Sequence, residues 1–208
     1  HALGVIRMLA ENDLDLPLDA LLQTASSSFA AVDGFKAAES TLADFIYERL
    51  AGNLREQGYT PQEVDAVVSQ RPQRLGDIRK RLAAVRAFAA LPESAALAAA
   101  NKRVGNILKK VGNAVEAVVD AGLLKEDAEI ALHDALVDVV PRADAAFATG
   151  DYAESLQALA ALRAPVDAFF DGVMVNADDP ALRANRLGLL ARLHGAMNRV
   201  ADISKLSA

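Results

Sequence analysis

Cysteine is absent from the 208 residues, which excludes disulfides and thiolate metal sites and suits a reducing compartment. Tryptophan is absent too, and three tyrosines with seven phenylalanines are the whole aromatic stock, so a base-stacking platform has few residues to draw on. Histidine occurs only as His1, His133 and His194, with no His-Glu-x-x-His spacing for zinc. Gly172 and Gly188 stand singly, and no glycine-rich phosphate loop is formed. No apolar run approaches the roughly 20 residues of a membrane span, and no secretory signal pattern is visible. Carboxylate neighbours such as Asp178 and Asp179 read as helix caps. These absences leave no catalytic residue and no metal ligand to nominate.

What remains is helix. Hydrophobic residues make up 52% of the chain, much of it alanine, which favours helix without filling volume and so implies close packing. No strand pattern competes, and the expected fold class is all-α, a helical bundle. The length allows one large helical domain or two small ones. The chain begins at His1, already inside a helical pattern from Ala2 to Ala10, so we expect a fragment whose N-terminal part has been removed.

After a break at Asp13–Pro17, a helix is expected from Leu18 to about Ala31. From Glu39 to Glu56 another places Leu42, Phe45, Ile46, Arg49 and Leu50 on one side, closed by Gly58. Thr60-Pro61-Gln62-Glu63 is a capping box that starts a short helix ending before Arg71–Pro72. Leu75, Ile78, Leu82, Val85 and Phe88 define the next, which stops at Leu91–Pro92. Pro92 is the best internal boundary. Beyond it lie a helix from Ser94 to about Val111, a connector from Gly112 to Gly122, and a long helix from Lys125 to Phe147 with a kink or break at Pro141. A turn at Gly150-Asp151-Tyr152 leads into Ala153–Leu162, a hairpin with no second copy at a fixed period, so a repeat protein is excluded.

Charge is distributed unevenly. The net charge is −6, yet Arg71 to Lys110 holds ten basic residues against Asp77 and Glu93. A basic middle in an acidic chain fits a local RNA contact and fits two ordinary solvated helices equally well. On the Ser94–Val111 helix, Leu97, Val104, Leu108 and Val111 share the side expected to be buried. Lys102, Asn106, Lys109 and Asn113 fall within about 60° of one another on a different side, flanked by Arg103 and Lys110. Cations attract phosphates, and asparagine donates to and accepts from unstacked base edges. A solvated face is the alternative. Arg79, Lys80 and Arg81 point about 100° apart and cannot form one patch.

The chain closes on Val166 to Val200. Val166, Phe169, Phe170, Val173 and Met174 form one apolar stripe, and Leu182, Leu189, Leu190, Leu193, Met197 and Val200 another. Between them Asp178 or Asp179 caps, with Pro180 at the first helical position. Two helices meeting at a tight turn are expected, neither able to bury its stripe alone. Arg186 projects near the middle of the second stripe, where a free cation is costly. A structural pair with Asp167 or Asp171 is one reading, direct RNA contact the other. Arg183 sits at the stripe's edge, Asn185 faces elsewhere with reach to solvent or RNA, and Arg192 and Arg199 read as surface.

The run VDAFFDGVMVNADDPALRANRLGLL resembles the C-terminal anticodon-binding helices of the DALR type shared by several aminoacyl-tRNA synthetases. Asp179-Pro180-Ala181-Leu182-Arg183 stands at the name-giving motif, with Pro180 inserted. The likeness is closer to the β subunit of bacterial two-subunit glycyl-tRNA synthetases. FIYERLAGNLREQGY, AVVSQRPQRLGDIRKRLAAVRAF and ALAAANKRVGNILKK are similar to that subunit in the same order. The resemblance implies a helical connecting region over 1–92 and an anticodon-binding helical bundle over 93–208. It implies a non-catalytic piece of a cytoplasmic glycine–tRNA ligase, with glycine tRNA and the α subunit as partners and neither DNA nor membrane. ATP and Mg²⁺ would be used in the α subunit, with no cofactor here. Lys102, Arg103, Asn106, Lys109, Lys110, Arg183, Asn185 and Arg186 are the expected tRNA-binding residues. The alternative is a helical interaction domain that docks the α subunit or other β domains.

Overall fold

A computed structural model describes residues 1–207. Ten α-helices are present among them: α1 (Ala2–Glu11), α2 (Leu18–Ser28), α3 (Glu39–Glu56), α4 (Pro61–Val68), α5 (Ile78–Ala89), α6 (Ser94–Val111), α7 (Asp127–Ala148), α8 (Tyr152–Ala158), α9 (Arg163–Gly172) and α10 (Pro180–Met197). Short 3₁₀ turns occur at Leu75–Asp77, Ala121–Leu123, Leu159–Leu162 and Ile203–Leu206. No strand occurs among the described residues, so the fold is all-α.

Local chemistry sets the helix ends. Thr60 and Glu63 form the capping box, with Glu63 N donating to Thr60 Oγ1 at 3.2 Å and Thr60 N to Glu63 Oε2 at 2.8 Å. At Leu91–Pro92 the chain leaves α5, and the helical axis turns by 110° into α6. Gly112, at φ +80, ends α6 in a left-handed conformation that a side chain would oppose. Asp179 caps α10, its Oδ1 accepting from Ala181 N at 2.7 Å and Leu182 N at 3.3 Å, with Pro180 at N1.

The apolar core is one cluster that runs across residue 92. It joins Phe88 of α5 to Leu97 and Val104 of α6, Leu132 and Leu136 of α7, and Leu189 and Leu193 of α10. Burial of such side chains contributes about 1.5–3 kcal/mol each. The final turn, Ile203–Leu206, packs on both α4 and α6, and Asp202 N donates to Ala66 O at 2.8 Å. The chain's last residues thus tie its two halves together. No single helix among the described residues is long and apolar enough to cross a membrane.

Three local expectations are corrected. On α3 the buried side is Ala43, Ile46, Tyr47, Leu50, Ala51 and Leu54, leaving Leu42 and Phe45 exposed. Pro141 does not break α7, because Pro141 and Val137, whose carbonyl loses its donor, both lie on the wet face. α9 ends at Gly172, Val173 turns extended, and Met174 is 72% exposed instead of joining the stripe. As expected, neither α9 nor α10 buries its stripe alone; both pack on α6 and α7.

Candidate nucleic-acid interface

Helix α6 lies in the bundle with Leu97, Ala98, Asn101 and Val104 buried. Its opposite face carries Lys102, Arg103, Asn106, Lys109 and Lys110, all exposed. Val111, expected on the buried side, is exposed as the helix leaves the core. Lys109 and Lys110 fall in the last turn, where cations also complement the helix dipole.

Two clefts flank this face, and Lys102 and Asn106 line both. The first, about 600 Å³, lies toward α9 and its exit loop and is bordered by Arg103, Lys110, Met174 and Asn176. Its Arg103 guanidinium rests 4.0 Å over the Phe170 ring. The aromatic missing from the α6 row is thus supplied by α9, with a planar cation laid over it whose outer face suits a stacked base. The second cleft, about 580 Å³, lies toward α10 and the final turn and is bordered by Gln70, Lys109, His194 and Lys205. Both volumes fall within the range of about 300–1,000 Å³ usual for ligand sites.

Asn101, fully buried, and Asn198 form the floor of the second cleft by exchanging amide hydrogen bonds at 3.0 Å in both directions. Their amides are matched, so the floor is rigid. Beside them, Gly105 leaves space for His194, whose Nε2 would stand 3.3 Å from a Cβ placed there. A mid-helix glycine costs about 1 kcal/mol relative to alanine. Burial pushes the His194 imidazole below its ordinary pKa, against the pull of Asp202.

Ion pairing separates these cations from most of the basic middle upstream. Arg71 pairs with Asp44, Arg74 and Lys80 with Asp13, and Arg86 with Glu63. Arg81 donates to Val200 O at 2.7 Å and lies over Tyr152. Arg79 is exposed without an acidic partner among the described residues, but points away from its neighbours along α5. Among the described residues, none of Lys102, Arg103, Lys109 and Lys110 stands in an ion pair.

The α10 cluster is different. Arg186 is 5% exposed, and its Nε donates to Glu129 Oε1 at 2.6 Å and its Nη1 to Met174 O at 2.7 Å. The pairing is structural, but the partner is Glu129 of α7, not Asp167 or Asp171. Burial alone would raise the Glu129 carboxyl; the Arg186 bond and donors from Glu126 N and Lys125 N outweigh it and hold it low. Asn185 is buried as well, accepting from Asp120 N at 2.7 Å and donating to Asp120 O at 3.0 Å. One turn on, a Cβ at Gly188 would overlap the Val118 carbonyl. Asn185 and Gly188 therefore seat the connector, and Asn185 and Arg186, expected at the RNA, are both buried with their polar groups engaged inside the fold. Arg183 is exposed, lies outside both clefts and donates to Ala177 O at 3.2 Å. Arg199 is held too, by Asp144 at 2.8 Å.

Residues 97–204 match the DALR anticodon binding domain. The chain belongs to that family. Residues 1–69 match the glycyl-tRNA synthetase beta subunit family. The glycine–tRNA ligase beta subunit of Dechloromonas aromatica is 86% identical over all 208 residues, and those of Polaromonas naphthalenivorans and Delftia acidovorans are 67% and 66% identical. The chain spans 29% of the length of each of these relatives. Within the DALR domain the name-giving segment serves the helix start: Asp179 caps, Pro180 opens α10, Leu182 is half-buried, and Arg183 holds the preceding turn. Sequence reasoning missed Phe170, Gln70 and Lys205 as site residues and set His194 aside. The adjacent pair Phe169–Phe170 was a usable signal, since only one of two neighbours on a surface helix can point fully into the core.

Proposed function

We propose that this chain holds the anticodon arm of a glycine tRNA against α6, as the non-catalytic, tRNA-binding part of a glycine–tRNA ligase β subunit. The observation that carries this is the gathering on one helix face, between two clefts, of four cations that stand in no ion pair among the described residues, while Arg71, Arg74, Lys80 and Arg86 upstream are paired with acids. Residues 1–92 act as the connecting region and 93–208 as the binding bundle. Holding the anticodon arm positions the acceptor end at a distant reaction centre and favours the cognate tRNA there. ATP and Mg²⁺ chemistry belongs, in this reading, to the partner α subunit.

Titration with glycine tRNA and with an anticodon-substituted form tests the proposal. Lys102→Ala with Lys109→Ala should weaken binding and flatten the slope of log K against log salt by about 1.4 at two single-strand phosphate contacts, with helical content unchanged. Unaltered affinity and slope would refute it.

A second surface supports a docking role alongside. Leu3, Val5, Met8, Leu16, Phe29, Val32, Phe35, Leu42 and Phe45 are all exposed near the start of the chain, and Phe29 stacks on Phe35 beside an apolar cleft of about 200 Å³. Such a concentration marks an interaction face, for which the α subunit or other β domains are the fitting occupants. Charged substitutions at Phe29 and Phe35 should weaken subunit assembly and leave tRNA affinity of the purified chain unchanged; retained assembly would exclude this face.

A further inference from the structure

The second cleft has features that phosphate binding does not require. Phosphates need cations, and Lys102, Lys109 and Lys205 at the rim supply them. The cleft also carries a ring, amides and one carboxylate: His194, Asn106, the Asn101–Asn198 pair, and Asp202, whose Oδ1 already accepts from Ser204 N and Oγ. Asn198 Nδ2 also donates to His194 O at 2.7 Å, fixing the backbone that carries the ring. Among the described residues neither ring nitrogen of His194 takes part in a hydrogen bond, although the side chain is half-buried. Glycine at 105 keeps the α6 wall bare where the ring approaches it, at a mid-helix position where any larger side chain but proline would make the better helix.

We propose that this cleft takes one unstacked base of a single-stranded RNA loop, its hydrogen-bonding edge read by the His194 imidazole and the Asn106 amide. The inference rests on the reading of α6 as the tRNA-binding face and assigns to one side of it the task of reading a base. A neutral imidazole offers one donor and one acceptor, an amide both, and every base edge presents the complementary groups. Burial keeps the ring neutral near pH 7, so the acceptor nitrogen is available. No Phe, Tyr or Trp lines this cleft, so recognition here is assigned to the hydrogen-bonding groups of His194 and Asn106, whereas the first cleft offers the Arg103 plane for stacking. Lys109 and Lys205 meet the phosphates on either side of the inserted base.

The test uses the anticodon stem-loop of glycine tRNA with each loop base replaced in turn by an abasic site. Binding is measured for the purified protein and for its His194→Ala, Gly105→Ala and Lys102→Ala/Lys109→Ala variants. His194→Ala should weaken the intact loop about tenfold, the scale of one unmade hydrogen bond to a buried group. That loss should vanish for one abasic position and persist at the others. Gly105→Ala crowds the His194 ring and should lose affinity at the same position, with its unfolding midpoint followed alongside; a loss spread evenly over every loop would mark the glycine as structural only. Equal loss for every loop, or wild-type binding by His194→Ala, overturns the proposal. If the lysine variant alone is weakened, the base-reading cleft fails and the α6 face stands. If the lysine variant also binds as wild type does, both readings fail.

Discussion

Arg186→Met separates a structural arginine from an RNA-binding one. In the native bundle the guanidinium satisfies Glu129, which is fully buried, and the Met174 carbonyl on the α9 exit. Removing it leaves a carboxylate inside the core with two backbone donors as its remaining partners. Losing one member of a buried pair costs about 3–5 kcal/mol, and the retained donors put the expectation near the lower end, about 3 kcal/mol. With a urea m-value near the upper end of the usual 1–3 kcal/mol/M, the midpoint should fall by about 1 M, and Tm by about 6–12 °C. Glu129→Gln keeps an acceptor for the Lys125 and Glu126 amides but strands the Arg186 charge, and should cost a similar amount. The double variant should be no less stable than either single one, a coupling of about 2 kcal/mol or more. Urea unfolding followed by circular dichroism at 222 nm reads all four proteins. An Arg186→Met protein with an unmoved midpoint but weakened tRNA binding would refute the assignment.

Gly188→Ala pushes a methyl group into the Val118 carbonyl and should destabilise by about 1–3 kcal/mol, seen as a lowered Tm, with faster amide exchange along residues 113–120. Glu63 is held at about 2 rather than 4.5, chiefly by the Arg86 bond, which outweighs the upward push of burial, with Thr60 adding to it. Because the unfolded chain binds this proton more readily, the stability is fully present above pH 4.5 and lost as pH falls from there toward 2. Urea midpoints between pH 5 and pH 2.5 should fall less steeply in Glu63→Gln than in the wild-type protein. Asp179→Ala removes the α10 cap and should cost about 1 kcal/mol, with no change in the salt dependence of RNA binding.

Helix content and most boundaries were legible because the relevant signals are local. Thr60 and Glu63, Pro92, Gly112 and Asp179 act within one turn of where they stand. The misreadings came from partners distant in sequence. Leu42 and Phe45 look like core on a wheel, and only the packing of α3 on α1, α2 and α4 turns that wheel toward Tyr47 and Ala51. Arg186 was recognised as costly to bury, but a partner 57 positions upstream leaves no trace in local spacing. The α6 row was legible as a row, since helical periodicity places Lys102, Asn106 and Lys109 together. What periodicity cannot show is that several neighbours upstream are neutralised by Asp13, Asp44 and Glu63, or that the loop leaving α9 and the helix α10 rise on either side to make clefts.

That selective neutralisation bears on how a polyanion arrives. A body of net charge −6 repels an approaching nucleic acid over most of its surface, and a face of uncompensated cations is then the direction of easiest approach. Such a field acts as an orientational filter: encounters from the wrong side are turned away before contact, and those from the right side begin close to the docked pose. More cations elsewhere would tighten non-specific adhesion and lengthen the search among misoriented states. On the proposed RNA-binding reading, the acidic remainder takes part in recognition without touching the ligand, and salt, by screening both signs, should blur orientation as well as weaken binding.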